Sequence, residues 1–252
     1  MKRFIVILIL VLAGFQSHSQ VLITLLLGDK LNSDGLEFGL EGGVNWAAIS
    51  GMEADNYSRL WNLGFYFDIR LKNQWSVYTG VLVKSELGVA GLTYNDLNYL
   101  EATIYPDIDD PSIDGEGVYG QKLKYFLVPI LAKYKFKNRM YAEIGPQLGL
   151  MYNAWVEFNS ELEGRKVSIR EYNTDKINRL DAGLMAGMGY TLFKGTGWTF
   201  GAKYYYGLLD VYKDRPGTNN SAFFLKANIP IGVGEKSQKK KEERKAKKQK
   251  EK

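Results

Sequence analysis

"LEFGLEGGVNW", residues 36–46, is the stretch on which the fold turns. Its even positions, Leu36, Phe38, Leu40, Gly42, Val44 and Trp46, are apolar or small. Its odd positions, Glu37, Gly39, Glu41, Gly43 and Asn45, are acidic, amide or small. A period of two sends each set to its own face of an extended strand. "LWNLGFYFDIRL", residues 60–71, repeats the pattern: Trp61, Leu63, Phe65, Phe67 and Ile69 oppose Asn62, Gly64, Tyr66, Asp68 and Arg70. Six more segments, roughly 74–88, 121–136, 140–155, 178–192, 198–209 and 221–233, follow the same rule and bring the expected total to eight strands.

The connections alternate in length. Lys72-Asn73, Lys137-Asn138-Arg139 and about 193–197 are short, whereas 49–59, 89–120, 156–177 and 210–220 are long. In an antiparallel meander every second connection lies at the same end, so one rim carries tight turns and the other carries loops. Transmembrane β-barrels have this asymmetry, with short periplasmic turns and longer external loops. The expected architecture is all-β, an eight-stranded antiparallel up-and-down transmembrane β-barrel spanning residues 36–233. An even strand count puts both termini at the periplasmic rim.

A lipocalin-like soluble barrel is the competing all-β arrangement, with its apolar face turned inward. The apolar face here carries Trp46, Trp61, Phe65, Phe67, Trp75, Phe136, Tyr190, Trp198, Phe200 and Tyr204. A small soluble interior has no room for so many rings, and several sit near strand ends, where interfacial aromatic belts lie. The membrane barrel is therefore preferred.

Residues 1–19 open with Met1-Lys2-Arg3, run apolar from Phe4 to Ala13 and then turn polar, with Ser17 and Ser19 at the small positions before Gln20. That is the form of a secretory signal. A spanning helix needs about 20 consecutive apolar residues, and Gln16 to Gln20 interrupt any longer run. Residues 20–35, including "VLITLLLGDKLNS", are expected to form a short segment at the periplasmic rim, a brief helix closing the barrel mouth. The chain's formal charge of +5 is uneven. The tail 234–252 contributes ten basic and four acidic residues, and Lys2 and Arg3 add two more charges. The body keeps 21 basic and 24 acidic residues, a net of −3. The tail has one apolar residue, Ala246, and is expected to be disordered. It offers contact with a periplasmic protein, the cell wall or anionic lipid, and the barrel wall faces outer-membrane lipid and lipopolysaccharide. Nucleic acid is excluded as a partner by export.

Catalytic options are narrow. There is no cysteine, and the single histidine, His18, falls in the signal. Thiolate chemistry and the commonest general base and zinc ligand are thus absent from the mature chain. An eight-stranded barrel encloses just enough space for side chains. Its inward candidates begin with Glu37, Glu41, Asp68 and Arg70, continue with Lys84, Glu86, Lys133, Lys135 and Glu143, and end with Arg179, Asp181, Lys203 and Lys226. An unpaired buried charge costs several kcal/mol, so these charges are expected to pair and plug the interior. The acids Asp107, Asp109, Asp110, Asp114 and Glu116 cluster in the 89–120 loop. They are the weak metal candidates, since their spacing lacks the closing Glu of a calcium loop. "GLMAGMG", residues 183–189, has no P-loop lysine; its glycines are expected to make room for large interior neighbours.

The motifs "FGLEGGVNWAAISG", "GFYFDIRLKNQWSVYTGVLVKSELG", "LKYFLVPILAKYKF", "YAEIGPQLGLMYNA" and "DAGLMAGMGYTLFKGTGWTFGAKYYYGLLDV", with "LLLGDKLNS" before them, follow one another in order over about residues 21–233. This succession resembles the PorT-like outer-membrane β-barrel proteins. The resemblance implies an integral barrel in the outer membrane of a Gram-negative cell and brings no catalytic residues. The chain departs from the pattern in running on past its last strand into the lysine-rich tail. The functional expectation is a non-enzymatic structural or accessory subunit without a cofactor. A lipid-modifying enzyme and a narrow transporter are the alternatives.

Overall fold

The computed structural model describes residues 35–54, 56–104, 117–162, 165–192 and 197–231. The expected signal at 1–19, nearly all of the 20–35 segment, the tail 234–252 and the acids Asp107, Asp109, Asp110, Asp114 and Glu116 lie outside the described residues.

Among the described residues there are nine strands: β1 Leu36–Ile49, β2 Asn56–Arg70, β3 Trp75–Ala90, β4 Val118–Lys135, β5 Met140–Leu162, β6 Arg165–Tyr172, β7 Leu180–Thr191, β8 Thr199–Asp210 and β9 Asn219–Pro230. One short helix, α1 Tyr94–Tyr99, sits between β3 and β4. Consecutive strands pair antiparallel from β1 through β5. β5 then pairs with β7, β7 with β8, and β8 with β9. The sheet closes on itself because β1 pairs with β2 on one side and β9 on the other, so that Gly39 lies opposite both Tyr66 and Pro230. Closure removes the free sheet edges that an open arrangement would leave.

β6 pairs with the far end of β5 alone, from Trp155↔Tyr172 to Leu162↔Arg165. The stretch 156–177, expected to be a loop, is thus largely a β-hairpin, followed by a 3₁₀ turn at Thr174–Lys176. Its alternation of Val156, Phe158, Val167 and Ile169 with polar residues is itself a strand pattern, which carries β5 beyond the ring. The connection expected at 49–59 shortens to residues 50–55, since β1 and β2 both run past the predicted ends.

The tight connections lie at one rim. Residues 71–74 join β2 to β3, with Asn73 at φ 61°. Residues 136–139 join β4 to β5, with Arg139 at φ 70°. The longest connection, 91–117, is at the opposite, loop rim. Among the described residues no helix is long and apolar enough to cross a membrane.

Side chains divide between the faces as alternation requires. Trp61, Trp75, Phe136, Tyr190, Trp198, Phe200 and Tyr204 are exposed on the outside. Tyr66, Tyr78, Tyr125, Tyr141, Tyr205 and Phe224 fill the inside. The inner glycines make room for these rings: a Cβ on Gly183 would sit 2.7 Å from Tyr205 Cε2, and one on Gly187 would sit 2.8 Å from Lys203 Cγ. The alternation is interrupted within β3 and within β5. The β2–β3 register shifts after Leu63↔Lys84, leaving Val83 as an extra residue before Gly64↔Leu82. The β4–β5 register shifts between Lys124↔Asn153 and Tyr125↔Met151, leaving Tyr152 extra. These β-bulges change which face the later residues occupy.

Candidate functional site

Toward the turn rim the interior is a layer of ion pairs. Lys203 of β8 places its Nζ 2.6 Å from Glu41 Oε1 of β1, with both side chains buried. The hydroxyl of Tyr78 in β3 donates to the second oxygen of Glu41, and Asn228 of β9 donates to that hydroxyl at 2.7 Å. Lys226 lies 2.6 Å from Glu143, again fully buried. Lys133 and Lys135, neighbours on the inward face of β4, reach Asp68 Oδ2 at 3.0 and 2.8 Å. Rings cover the ammonium groups: Lys226 Nζ is 4.0 Å from the centre of Tyr78, and Lys133 Nζ is 4.1 Å from that of Tyr141. Each buried charge thereby gains an opposite charge, a hydrogen bond or a π-face, which offsets its loss of water.

Of the thirteen expected inward charges, seven converge in these pairs: Glu41, Asp68, Lys133, Lys135, Glu143, Lys203 and Lys226. Glu37 is half-buried and accepts from Tyr66 at 3.0 Å, so the Glu37/Glu41 pair is divided between separate partners. Asp181 is buried higher in the barrel, where Asn220 donates to it at 3.1 Å. Among the described residues no cation pairs with Asp181.

Four expectations are corrected. Lys84 and Glu86 face outward, because the extra residue Val83 re-phases β3 beyond Leu82. Lys84 is exposed beside Leu63, and Glu86 meets outward-facing Lys124 at 3.8 Å. Arg179 precedes β7 and is exposed. Arg70 ends β2 at the turn rim and is exposed as well.

Toward the loop rim the interior turns apolar. Leu82, Leu87, Leu123, Leu127, Val89 and Val156 belong to one buried cluster with Leu97 and Leu100 of α1 and its C-cap. The helix forms because "TYND" is a capping box: Thr93 caps the Asp96 amide, and Asp96 returns to the Thr93 amide. Asp96 is fully buried and also accepts from the amides of Glu53 and Ala54, both at 3.0 Å. It therefore ties α1 to the β1–β2 connection. Arg215 reaches across from the β8–β9 connection, 3.8 Å from Asp96 and 4.3 Å from the ring of Tyr99. Beneath, Gln121 and Asn173 exchange amide hydrogen bonds of 3.1 and 2.8 Å. Tyr212 donates to Gln121 at 3.3 Å. Burial pushes the Tyr212 phenol above its ordinary range, which keeps that donor protonated.

Charge alone does not single out the interior tyrosines and amides or the α1 cap. Tyr66 and Tyr78 share a strand face with Asp68 and Ser76, and the Thr-x-x-Asp spacing at 93–96 was a visible helix signal. Among the described residues no group of three or more acidic or histidine side chains is placed to hold a metal ion.

A family model described as outer membrane protein beta-barrel domain matches residues 16–213. Among solved structures the chain is similar to Ail, the attachment invasion locus protein of Yersinia pestis, at 11% identity and TM-score 0.36, covering 79% of this chain and 99% of that one. It is similar to Neisserial surface protein A at 11% identity and TM-score 0.36, covering 78% and 97%. Acinetobacter baumannii CarO gives 9% identity and TM-score 0.36, covering 76% and 97%. Comparison with curated proteins finds no match.

Proposed function

Because this chain belongs to the outer membrane protein β-barrel family, we propose that it serves in the outer membrane as a closed, non-enzymatic structural or accessory subunit. The observation that carries this reading is the filling of the barrel along its axis. Ion pairs occupy the turn-rim half, and an apolar cluster stoppered by α1 occupies the other. A filled interior of this kind suits a protein whose work is done by its rims and outer wall. Within the family, the order of motifs supports the PorT-like kind. Eight strands span the bilayer in this reading, with β6 as an external extension of β5, and a removed signal at 1–19. Both termini are then periplasmic, which leaves the Lys-rich tail 234–252 free to contact a periplasmic protein, the cell wall or anionic lipid.

Reconstitution of the full-length protein in planar bilayers tests the closed interior. The expected record shows no sustained conductance above the bare membrane, and a stable large conductance would overturn the reading. For the tail, affinity purification in mild detergent with and without residues 235–252 should show a partner lost on truncation. An unchanged set of partners would remove the tail from the proposal.

A further inference from the structure

The outer wall of a membrane barrel is expected to be apolar, and half of this one is. On β1, β7, β8 and β9 the outward positions carry no Lys or Arg; β7, for example, shows Leu180, Leu184, Met188 and Tyr190. On β2 the outward face is apolar from Ile69 to Trp61, and the next outward residue is Arg59. On β4 it is apolar or aromatic from Tyr134 to Phe126, and the next two outward residues are Lys124 and Lys122. Each apolar run covers nine residues, about the length that carries a strand across the hydrocarbon core. The cations therefore begin where the apolar span ends, on the loop-rim side. On β3 the bulge at Val83 turns Lys84 to this same wall. β6 adds Arg170, which lies 5.1 Å from the ring of Trp155, while Lys124 lies 5.0 Å from that ring.

A charge on the lipid face costs about 2–4 kcal/mol for Arg or Lys at mid-bilayer and falls toward zero at the interface. The placement of these five cations on one contiguous sector at the interfacial level, with exposed Lys166 farther along the same face of β6, is thus coherent. On this sector Glu86 lies 3.8 Å from Lys124 and Glu157 lies 2.9 Å from Arg170, and both acids also attract Lys122. Lys122 donates to the Ser58 hydroxyl at 2.8 Å, while Arg59 and Lys84 are exposed. A net positive sector remains. It extends from β2 to β6, and at about 4.8 Å per strand that is roughly 19 Å. A single phosphodiester touches one or two such cations, whereas a headgroup bearing several phosphates bridges the sector.

We propose that this outward belt on β2–β6 binds the headgroup of a multiply phosphorylated lipid in the leaflet bordering the loop rim. The proposal rests on the chain being an outer-membrane barrel. It adds a defined binding wall to that reading, and it explains why the bulge turns Lys84 outward at that level.

The test uses the full-length protein in phosphatidylcholine nanodiscs doped with bisphosphoryl lipid A, monophosphoryl lipid A or phosphatidylglycerol. Lipid retained by the protein after mild detergent extraction is counted by native mass spectrometry. Retention should be highest for the bisphosphoryl lipid and lower for the other two. The Lys84→Gln/Lys122→Gln/Lys124→Gln variant should lose roughly tenfold or more of it, as expected for several cations each contributing near an anionic surface. Lys137→Gln/Arg139→Gln, at the turn rim, should retain the lipid as the native protein does. Equal retention of all three lipids, an unaffected triple variant or an equal loss in the turn-rim variant would overturn the proposal. The difference in mobility between unboiled and boiled samples reports barrel folding separately. A native protein that lacked it would overturn the barrel reading itself, and a triple variant that keeps it shows that lost retention is not lost folding.

Discussion

At the residue scale, the Glu41–Lys203 pair is fully enclosed in the interior. Neither side chain has water to fall back on, so deleting one partner strands the other. Lys203→Met is expected to destabilise the barrel by about 3–5 kcal/mol, the usual cost of breaking a buried pair from one side. Urea titration in detergent micelles, followed by gel mobility, measures this. Glu41→Gln together with Lys203→Met should recover most of the loss, because no uncompensated charge is left. A single variant as stable as the native protein would show that the pair holds nothing. Gly189 makes the complementary case from sterics. A Cβ there would run into the ring and hydroxyl of Tyr141 and the neighbouring strand's backbone. Gly189→Val should cost about 1–3 kcal/mol by overpacking, and Tyr141→Leu in the same chain should return part of it. If Gly189→Val unfolds at the native urea concentration, the close approach is not limiting.

At the element scale, α1 is six residues long and has too few internal hydrogen bonds to persist alone. It is held by its cap and by Leu97 and Leu100. Asp96→Ala removes the acceptor for the amides of Glu53, Ala54 and Thr93. Cap loss alone costs about 0.5–2 kcal/mol. Hydrogen exchange should therefore speed up at Glu53, Ala54, Thr93 and Leu97, while amides of β4 and β5 near the turn rim stay protected. Uniform acceleration along every strand would mean that the stopper and barrel open together. The helix was legible, since Thr93-x-x-Asp96 carries a helix-start signature. Its seat was not, because Leu97 meets β-strand residues far from it in the chain.

At the scale of the whole molecule, the barrel's closure binds the ends of the chain's ladders together. Unfolding must break β1–β9 along with its neighbours, so the protein should show the gel-mobility difference characteristic of a compact barrel that resists detergent until boiled. Identical migration before and after boiling would contradict that cooperativity.

Alternation alone determined that the chain forms strands with an aromatic outer face, and connection length alone determined which rim has the tight turns. These are local properties, set by the pleat of a strand and by the few residues a hairpin needs. Glu41, Asp68, Lys133, Glu143, Lys203 and Lys226 were legible as inward residues for the same reason. Only the tertiary structure decided who pairs with whom, because Glu41 and Lys203 are brought together by ring closure across 162 residues of chain. It alone also decided the facing of Lys84 and Glu86. One extra residue at Val83 reverses a period of two, and it shows only where β3 is laid against its neighbours β2 and β4.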